Sequence, residues 1–160
     1  MSNDLNMHET KHHKEEEQQA TVFVSTHEKI NHTLCGDVEL IERGHVIVSL
    51  LTTEDMRADD VGLVHGGFIF SSADYAAMLA VNEKNVVLAS STIQFLAPIC
   101  VGDEIRFEAQ VRHKEGRKRN VRVIGISKEV KVFEGEFKTV VTDRHVLRLN
   151  LLDIESMEEN

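Results

Sequence analysis

The apolar positions of the chain follow two different patterns, and the first is continuous. Residues 63–82 read LVHGGFIFSSADYAAMLAVN, so two glycines lead into about fifteen residues that are small or apolar on every side. A helix without a polar stripe is a buried helix. This one is too short, and too interrupted by Ser71, Ser72 and Asp74, to cross a bilayer, which needs ~20 mostly apolar residues. The pattern therefore predicts a central helix that the rest of the fold covers.

The second pattern alternates at the period of a β-strand. Two runs joined at Gly44 indicate a hairpin, and four more runs follow the buried helix. The predicted strands cover residues 37–43, 45–52, 85–96, 104–113, 121–127 and 129–142. Long antiparallel strands with hairpin links and one central helix give an α+β layer fold.

A short helix is predicted before the first strand. Ser25 and Glu28 have the spacing of a capping box, which predicts a helix to about Leu34, ended by Gly36. We expect His27 and His32 on this helix to be surface residues.

The two ends of the chain differ from the segment between them. Residues 1–20 are rich in charge, His and Glu, which predicts a disordered tail whose histidines have no fixed scaffold for a metal. Residues 21–150 are expected to form a single domain, and residues 151–160 an acidic tail. The leucines between 147 and 152 fit a last strand or a short helix, and the pattern leaves both open.

Charge and cysteine content narrow the setting. The net charge of −9 argues against a nucleic-acid partner, because phosphate binding needs a basic surface. Cys35 and Cys100 make no disulfide framework, which indicates a reduced, cytoplasmic setting. The first residues contain no apolar segment of the kind that secretory signals carry, and no membrane span is expected.

Two polar features of the buried helix indicate chemistry. Gly66 and Gly67 stand at its start, where backbone N–H groups have no partner within the helix and can face a ligand oxygen. An isolated carboxylate such as Asp74 costs several kcal/mol in an apolar helix unless it is paired or used. Burial should raise the pKa of Asp74, which suits a general base.

The spacing of these features predicts an assembly. Gly66 and Asp74 are eight residues apart, ~12 Å along a helix. Groups that act on one carbonyl must lie within a few ångströms of each other. An antiparallel helix from a second copy could supply the missing group, which predicts a two-fold homodimer with two equivalent sites. Whether two dimers associate into a tetramer stays open.

These residues resemble those of the hotdog-fold acyl-CoA thioesterases, in particular the branch of the phenylacetate-degradation thioesterase. That branch has His-Gly-Gly with Asp nine residues after the His, as His65, Gly66, Gly67 and Asp74 have here. The run ASSTIQFLAP before Gly-Asp is a second match, in the same order. The resemblance implies a hotdog fold, a helix-start N–H at Gly66 that binds the thioester oxygen, and an Asp74 that acts from the other subunit as general base or nucleophile. It implies coenzyme A as part of the substrate and no metal or other cofactor.

The loop before the helix departs from this family. Relatives often have Asn where this chain has Asp59, three residues before Gly62. A carboxylate can only accept hydrogen bonds, and it adds negative charge near Asp74. Either the site tolerates a second acid or hydrolysis is weak. We place Asp59 and Gly67 among the substrate-binding residues, and expect His65 to orient the helix start or the thioester more than to transfer a proton.

A basic cluster and a pair of hydroxyls complete the candidates. Residues 112–119 collect five Arg and Lys side chains around Gly116. They are either a solvated hairpin end or contacts for the phosphates of coenzyme A, for which the candidates are Arg112, Arg117 and Arg119. Ser90 and Ser91 are expected to hydrogen-bond within the sheet.

The sequence therefore predicts an acyl-CoA thioesterase acting at a dimer interface. The alternative is an acyl-CoA sensor that does not cleave its ligand, as in hotdog repressors of fatty-acid synthesis genes. Those repressors carry a helix-turn-helix and usually have Asn where Asp74 stands, and the segment before Asp37 is too short for that module. A hotdog dehydratase is a third, less supported hypothesis. Phe68, Met78 and Leu79 fit an aliphatic or an aryl acyl group equally.

Overall fold

One antiparallel sheet and one long helix make up the fold in the computed structural model, which describes residues 21–150. The predicted tails at residues 1–20 and 151–160 lie outside the described residues. The strands are β1 (Asp37–Glu42), β2 (His45–Leu51), β3 (Val86–Phe95), β4 (Glu104–Glu115), β5 (Lys118–Ser127) and β6 (Val130–Val141), and the helices are α1 (His32–Cys35) and α2 (Gly66–Val81). The sheet order is β1-β2-β4-β5-β6-β3.

The core lies between α2 and one face of the sheet. Alternate residues of the central strands face the helix and are fully buried, among them Phe107, Val123 and Phe137. Nine of the sixteen residues of α2 are buried as well, which agrees with a helix that lacks a polar stripe. Gly125 leaves space for the core aromatics, because a Cβ atom there would come within 2.9 Å of the Phe107 ring. The predicted central helix against an antiparallel sheet is confirmed.

Helix α2 runs antiparallel to β3, and this sets the geometry of the site. Its start lies beside the end of β3, since a Cβ atom on Gly66 would sit 3.4 Å from the Phe95 ring. Its end, at Asn82, comes just before the start of β3 at Val86. β3 is also an edge strand, paired to β6 on one side and, within the described part of the chain, to nothing on the other.

The predicted first helix is wrong at its start. Only His32–Cys35 is helical, and the side chain of Asn31 caps it by accepting from the Leu34 N–H. The backbone at His27 has a positive φ of 54°, which a helix cannot contain. Gly36 ends the helix as predicted, with a φ of 96°.

The hairpins follow the predictions with one change. The turn at Gly44 and the turn at residues 128–129 are both present. Around Gly116, however, β4 continues to Glu115 and β5 begins at Lys118, so most of the predicted basic turn is strand. After β6, Val146–Arg148 forms a single 3₁₀ turn. Neither helix of the described segment has both the length and the apolar character needed to cross a bilayer.

Candidate active site

The start of α2 presents two free backbone N–H groups. His65 occupies the N-cap position, but its side chain does not cap the helix, and its own N–H donates to the Met56 carbonyl oxygen. The N–H groups of Gly66 and Gly67 have no acceptor among residues 21–150, as expected for a first helical turn. The ring of His65 lies over the start of the helix, since a Cβ atom on Gly67 would be 3.2 Å from it. A carbonyl oxygen could therefore bind here beside an exposed imidazole.

Asp74 stands apart from the other polar residues of α2. Ser72 donates to the Cys35 carbonyl oxygen at 2.8 Å, and Ser71 lies 3.3 Å from the Cys35 sulfur, so both hydroxyls help to dock α1. In contrast, Oδ1 of Asp74 is buried and has no hydrogen-bond partner in the described residues. Burial raises the pKa of Asp74 to about 6. A carboxyl with that pKa can take up a proton near neutral pH.

Asp74 lines a cavity of about 390 Å³ between the second half of α2 and the beginning of β3. Its apolar walls include Met78 and Val86, both almost fully buried. The polar lining was not identified from the sequence and comes from three separate segments: Thr26 and His27, Lys84 and Asn85, and His145.

The segment of residues 23–27, here called the strap, forms one wall of this cavity. The side chain of Asn82 fixes it, accepting from the Ser25 N–H at 2.8 Å and donating to the Phe23 carbonyl oxygen at 2.7 Å. His27 is half-buried in the strap and not on a free surface, which corrects the prediction, and burial lowers its pKa. Its Nδ1 lies 2.8 Å from the Thr26 hydroxyl.

The structure does not bring Gly66 and Asp74 together within one chain. They lie eight residues apart on a continuous helix, ~12 Å along its axis. His65, Gly66 and Gly67 form one group at the helix start, and Asp74 with its cavity forms a second group. The unpaired edge of β3 runs beside both.

Asp59 organises the loop that leads into the helix. Its Oδ1 accepts hydrogen bonds from the N–H groups of Val61, Gly62 and Leu63 at 3.0, 3.0 and 3.1 Å. These bonds, the one from Leu63 foremost, lower the pKa of Asp59. The acceptor role that shapes this loop is one that an Asn oxygen can also fill. A direct contact of Asp59 with substrate stays a prediction.

The basic hairpin lies at the Asp74 end of the sheet. Lys118 is opposite Val140, and Val140 is opposite Val87 of the cavity wall. Arg117 is held by a two-pronged ion pair with Asp143, at 2.6 Å for each bond. Arg119 donates to the carbonyl oxygens of Gly116 and Lys118, while Arg112 is exposed. Their predicted contact with phosphates stays a prediction.

Neither the Ser90 nor the Ser91 hydroxyl forms a hydrogen bond with another residue between 21 and 150, and both residues lie on the open edge strand, so their expected pairing within the sheet stays a prediction. A bulge between Leu88 and Ser90 shifts the alternation of β3. As a result Ser91 lies opposite the buried Phe137, on the face that carries α2, and is exposed at the sheet edge.

Residues 61–134 match the family model described as the thioesterase superfamily. The acyl-coenzyme A thioesterase PaaI of Escherichia coli is 34% identical over 106 residues, which cover 62% of this chain and 74% of that protein. The chain belongs to the thioesterase superfamily. Its predicted hotdog fold is thereby confirmed.

Other relatives of this superfamily member are longer proteins. A methylthioribose-1-phosphate isomerase of Aquifex aeolicus is 54% identical over 117 residues, which cover 73% of this chain and 26% of that protein. The transcription factor FapR of Thermoanaerobacter is 32% identical over 112 residues, covering 70% of this chain and 55% of that protein. The chain thus spans about a quarter of the first and about half of the second.

Solved structures agree with the fold of this thioesterase-superfamily chain. An uncharacterized protein from Pyrococcus horikoshii aligns with a TM-score of 0.78 and 43% identity, over 79% of this chain and 97% of that one. A sigma28-regulated virulence protein from Campylobacter jejuni aligns with a TM-score of 0.76 and 36% identity, over 78% and 89%. A Streptococcus mutans protein bound to acetyl CoA has the same fold, with a TM-score of 0.66 and 24% identity over 74% and 97%.

Proposed function

We propose that the protein is an acyl-CoA thioesterase whose sites are shared between two copies of the chain. The observation that carries this proposal is the buried, unpartnered oxygen of Asp74, with a pKa raised to about 6, on the wall of a cavity. A carboxylate kept without a partner in an apolar helix lowers stability, so a role in catalysis accounts for it. Similarity to PaaI and to a protein bound to acetyl CoA supports this substrate class.

The proposed chemistry uses both groups of the site. The thioester carbonyl oxygen accepts from the free N–H groups of Gly66 and Gly67, where the helix dipole stabilises the negative charge that develops. Asp74 of the second copy takes a proton from water as the water oxygen bonds to the carbonyl carbon. When the carbon–sulfur bond breaks, the leaving thiolate takes that proton and free coenzyme A departs. Direct attack by the carboxylate is the alternative route.

The edge strand β3 is the proposed contact between the two copies. Residues that lie opposite each other in an antiparallel pair share a face of the sheet. If two copies pair through β3 with both helices on the same side of the sheet, one residue of β3 must therefore lie directly opposite the same residue of the other copy. The two-fold axis passes between these two copies of one residue. Phe95 is level with Gly66, and Asp74 is ~12 Å away, about 3–4 strand residues. This pairing brings Gly66 of one copy beside Asp74 of the other if the residue on the axis is Ile93 or about one residue to either side of it.

The decisive experiment is the release of free thiol from a panel of short, long and aryl acyl-CoAs. We expect Asp74→Asn to lower kcat by about 10²–10⁴-fold, the range for loss of a general base, while coenzyme A still binds. Asp55→Asn is the matched control, because it removes the same charge from an exposed position. Thiol release by Asp74→Asn at the wild-type rate would refute the proposal.

An acyl-CoA-binding protein without hydrolysis is the second candidate. The similarity to the transcription factor FapR favours it, although the chain covers only 55% of that protein. Saturable binding of an acyl-CoA by calorimetry, with no thiol release over hours, would support this candidate against the thioesterase.

The proposed setting is the cytoplasm, with acyl-CoA as the small-molecule partner. Cys35 and Cys100 are free thiols in the structure, one buried and one exposed, as a reduced compartment allows. A nucleic-acid partner is not proposed, since the chain has a net charge of −9.

A further inference from the structure

Two nitrogen-bearing side chains stand at the mouth of the Asp74 cavity. Lys84 precedes β3, and His145 follows β6, so sequence-distant segments place them on one opening. Both residues are exposed, whereas Met78 and Val86 deeper in the cavity are buried. We call Lys84 and His145 the rim.

Lys84 has no ion-pair partner among the residues that the structure describes. Asp74 is the sole acid in the cavity lining, and it lies one to two helical turns before the end of α2. In a chain with a net charge of −9, an ammonium beside a cavity and without a carboxylate partner is available to a ligand. Lysine is a common binder of phosphate and carboxylate groups.

The tautomer of the His145 ring follows from its hydrogen bond. Its Nδ1 accepts from the N–H of Leu147 at 3.1 Å, which caps the 3₁₀ turn. A neutral imidazole with an accepting Nδ1 carries its proton on Nε2. The free nitrogen of His145 is therefore a donor, like the ammonium of Lys84.

The surroundings of the rim add positive charge. The 3₁₀ turn after His145 ends with Arg148, and the β4–β5 hairpin with Lys118 lies at the same end of the sheet. Arg117 contributes less, because Asp143 already pairs with it. Lys84 and His145 thus place two donors at the mouth, while the deeper lining combines Asp74 and Thr26 with the apolar Met78 and Val86.

We infer that Lys84 and His145 bind an anionic oxygen group of the ligand at the mouth of the Asp74 cavity. This inference rests on the proposed function, because an acyl-CoA offers two such groups. One is a phosphate of coenzyme A, and the other is a carboxylate at the far end of a dicarboxylic acyl chain.

The first test is binding of free coenzyme A and of pantetheine, which lacks phosphates, measured by calorimetry on the full chain. Lys84→Met keeps the length of the side chain and removes its charge. His145→Asn keeps an acceptor for the Leu147 N–H and removes the Nε2 donor. If the anion is a phosphate, we expect each variant to weaken coenzyme A binding by about threefold to tenfold, with the salt dependence reduced, and to leave pantetheine unchanged. If the anion is the acyl carboxylate, both variants should bind free coenzyme A as the wild type does. Lys138→Met, on the exposed face of β6, is the control and should match the wild type.

The second test compares adipoyl-CoA with hexanoyl-CoA, which have the same carbon number and differ in the terminal carboxylate. If Lys84→Met lowers kcat/KM for adipoyl-CoA alone, the anion is the acyl carboxylate. If it weakens coenzyme A and both thioesters equally, the anion is a phosphate. Both results support an anion site at the rim, and they differ in which group of the ligand is the bound anion.

Wild-type affinity and wild-type kcat/KM for every ligand in both rim variants would overturn the inference. The proposed function fails separately. If the wild type releases thiol from no acyl-CoA while Lys84→Met still weakens coenzyme A binding, the thioesterase proposal is wrong and the anion site stands.

Discussion

Asn82 and Ser25 are 57 residues apart in sequence, and the side-chain amide of Asn82 holds the backbone on both sides of Ser25. Asn82 also ends α2 in the left-handed conformation, with φ of 52°. The end of the central helix and the strap are therefore one unit. Because the strap carries Thr26 and His27 to the Asp74 cavity, Asn82 positions a cavity wall that it does not itself form.

Asn82→Gly should release the strap without straining the helix end, because glycine adopts a positive φ freely. We expect faster proteolysis within residues 21–30 and a lower kcat/KM with acyl-CoA. Asn82→Asp keeps the acceptor for the Ser25 N–H, so its proteolysis rate and kcat/KM should lie between those of the wild type and those of Asn82→Gly. Unchanged proteolysis and kinetics in Asn82→Gly would show that the strap is held by other contacts.

The pH dependence of activity should follow the raised pKa of Asp74. A general base must be deprotonated, so kcat/KM should rise about tenfold per pH unit below about 6 and level off above it. The measurement is thiol release from one acyl-CoA between pH 4.5 and 8. A flat profile across pH 6 would contradict a base role for Asp74.

The pH dependence of stability should run in the opposite direction in the same window. The folded state holds the Asp74 proton more tightly than the unfolded chain, because the pKa is about 6 against an ordinary 3.8. This contribution to stability is complete below about pH 3.8 and is lost as pH rises through about 6, for a total of about 3 kcal/mol. Asp74→Asn removes it, so the difference in free energy of unfolding between variant and wild type should increasingly favour the variant toward pH 8. Urea unfolding at pH 5 and pH 8 measures the difference, and equal values at both would contradict it.

The β3 edge contact predicts where two copies can be cross-linked. In a Cys100→Ser background, cysteines at Thr92, Ile93 and Gln94 should form an intermolecular disulfide most readily at the position on the two-fold axis. Directly opposite residues of an antiparallel pair have Cα atoms ~4.5–5.5 Å apart, within the disulfide range. Ile41→Cys, on the other edge strand, is the control. A cross-link at Ile41 and none in β3 would place the dimer contact elsewhere.

Asp59 should be replaceable by Asn and not by Ala. Asn retains an oxygen for the three N–H groups of residues 61–63, whereas Ala leaves all three without their acceptor. We expect Asp59→Asn to keep kcat/KM near wild type, and Asp59→Ala to lower it by disordering the approach to the helix start. A strong gain of activity in Asp59→Asn would instead mean that the carboxylate charge inhibits the site.

The parts of the fold that sequence patterns predicted are those set by local periodicity. The apolar run of α2 and the alternation of β4 and β6 depend on which face each residue shows, and that is encoded within a few residues. The glycine turn at Gly44 is equally local. The same holds for the helix-start glycines and Asp74, whose types stand out against an apolar background.

The parts that were missed depend on contacts between distant residues. The capping-box pattern predicted a helix start at Ser25, but the Ser25 N–H donates to the side chain of Asn82 instead, a contact that no local pattern contains. Lys84 and His145 are unremarkable in sequence and meet only because β3 and β6 are neighbours. The ion pair of Arg117 with Asp143 joins a hairpin to the end of another strand, and the bulge in β3 changed which serine faces the helix.

The distance between Gly66 and Asp74 on one rigid helix has a genetic consequence under the proposed mechanism. A variant that lacks the acid is inactive as a homodimer, and so is a variant with a blocked helix start. A mixed dimer of the two variants contains one intact site, formed by the Asp74 of one copy and the unblocked helix-start N–H group of the other. The second site of that dimer carries both defects. Two inactive alleles would thus complement each other, whereas an allele that carries both substitutions would complement neither of them.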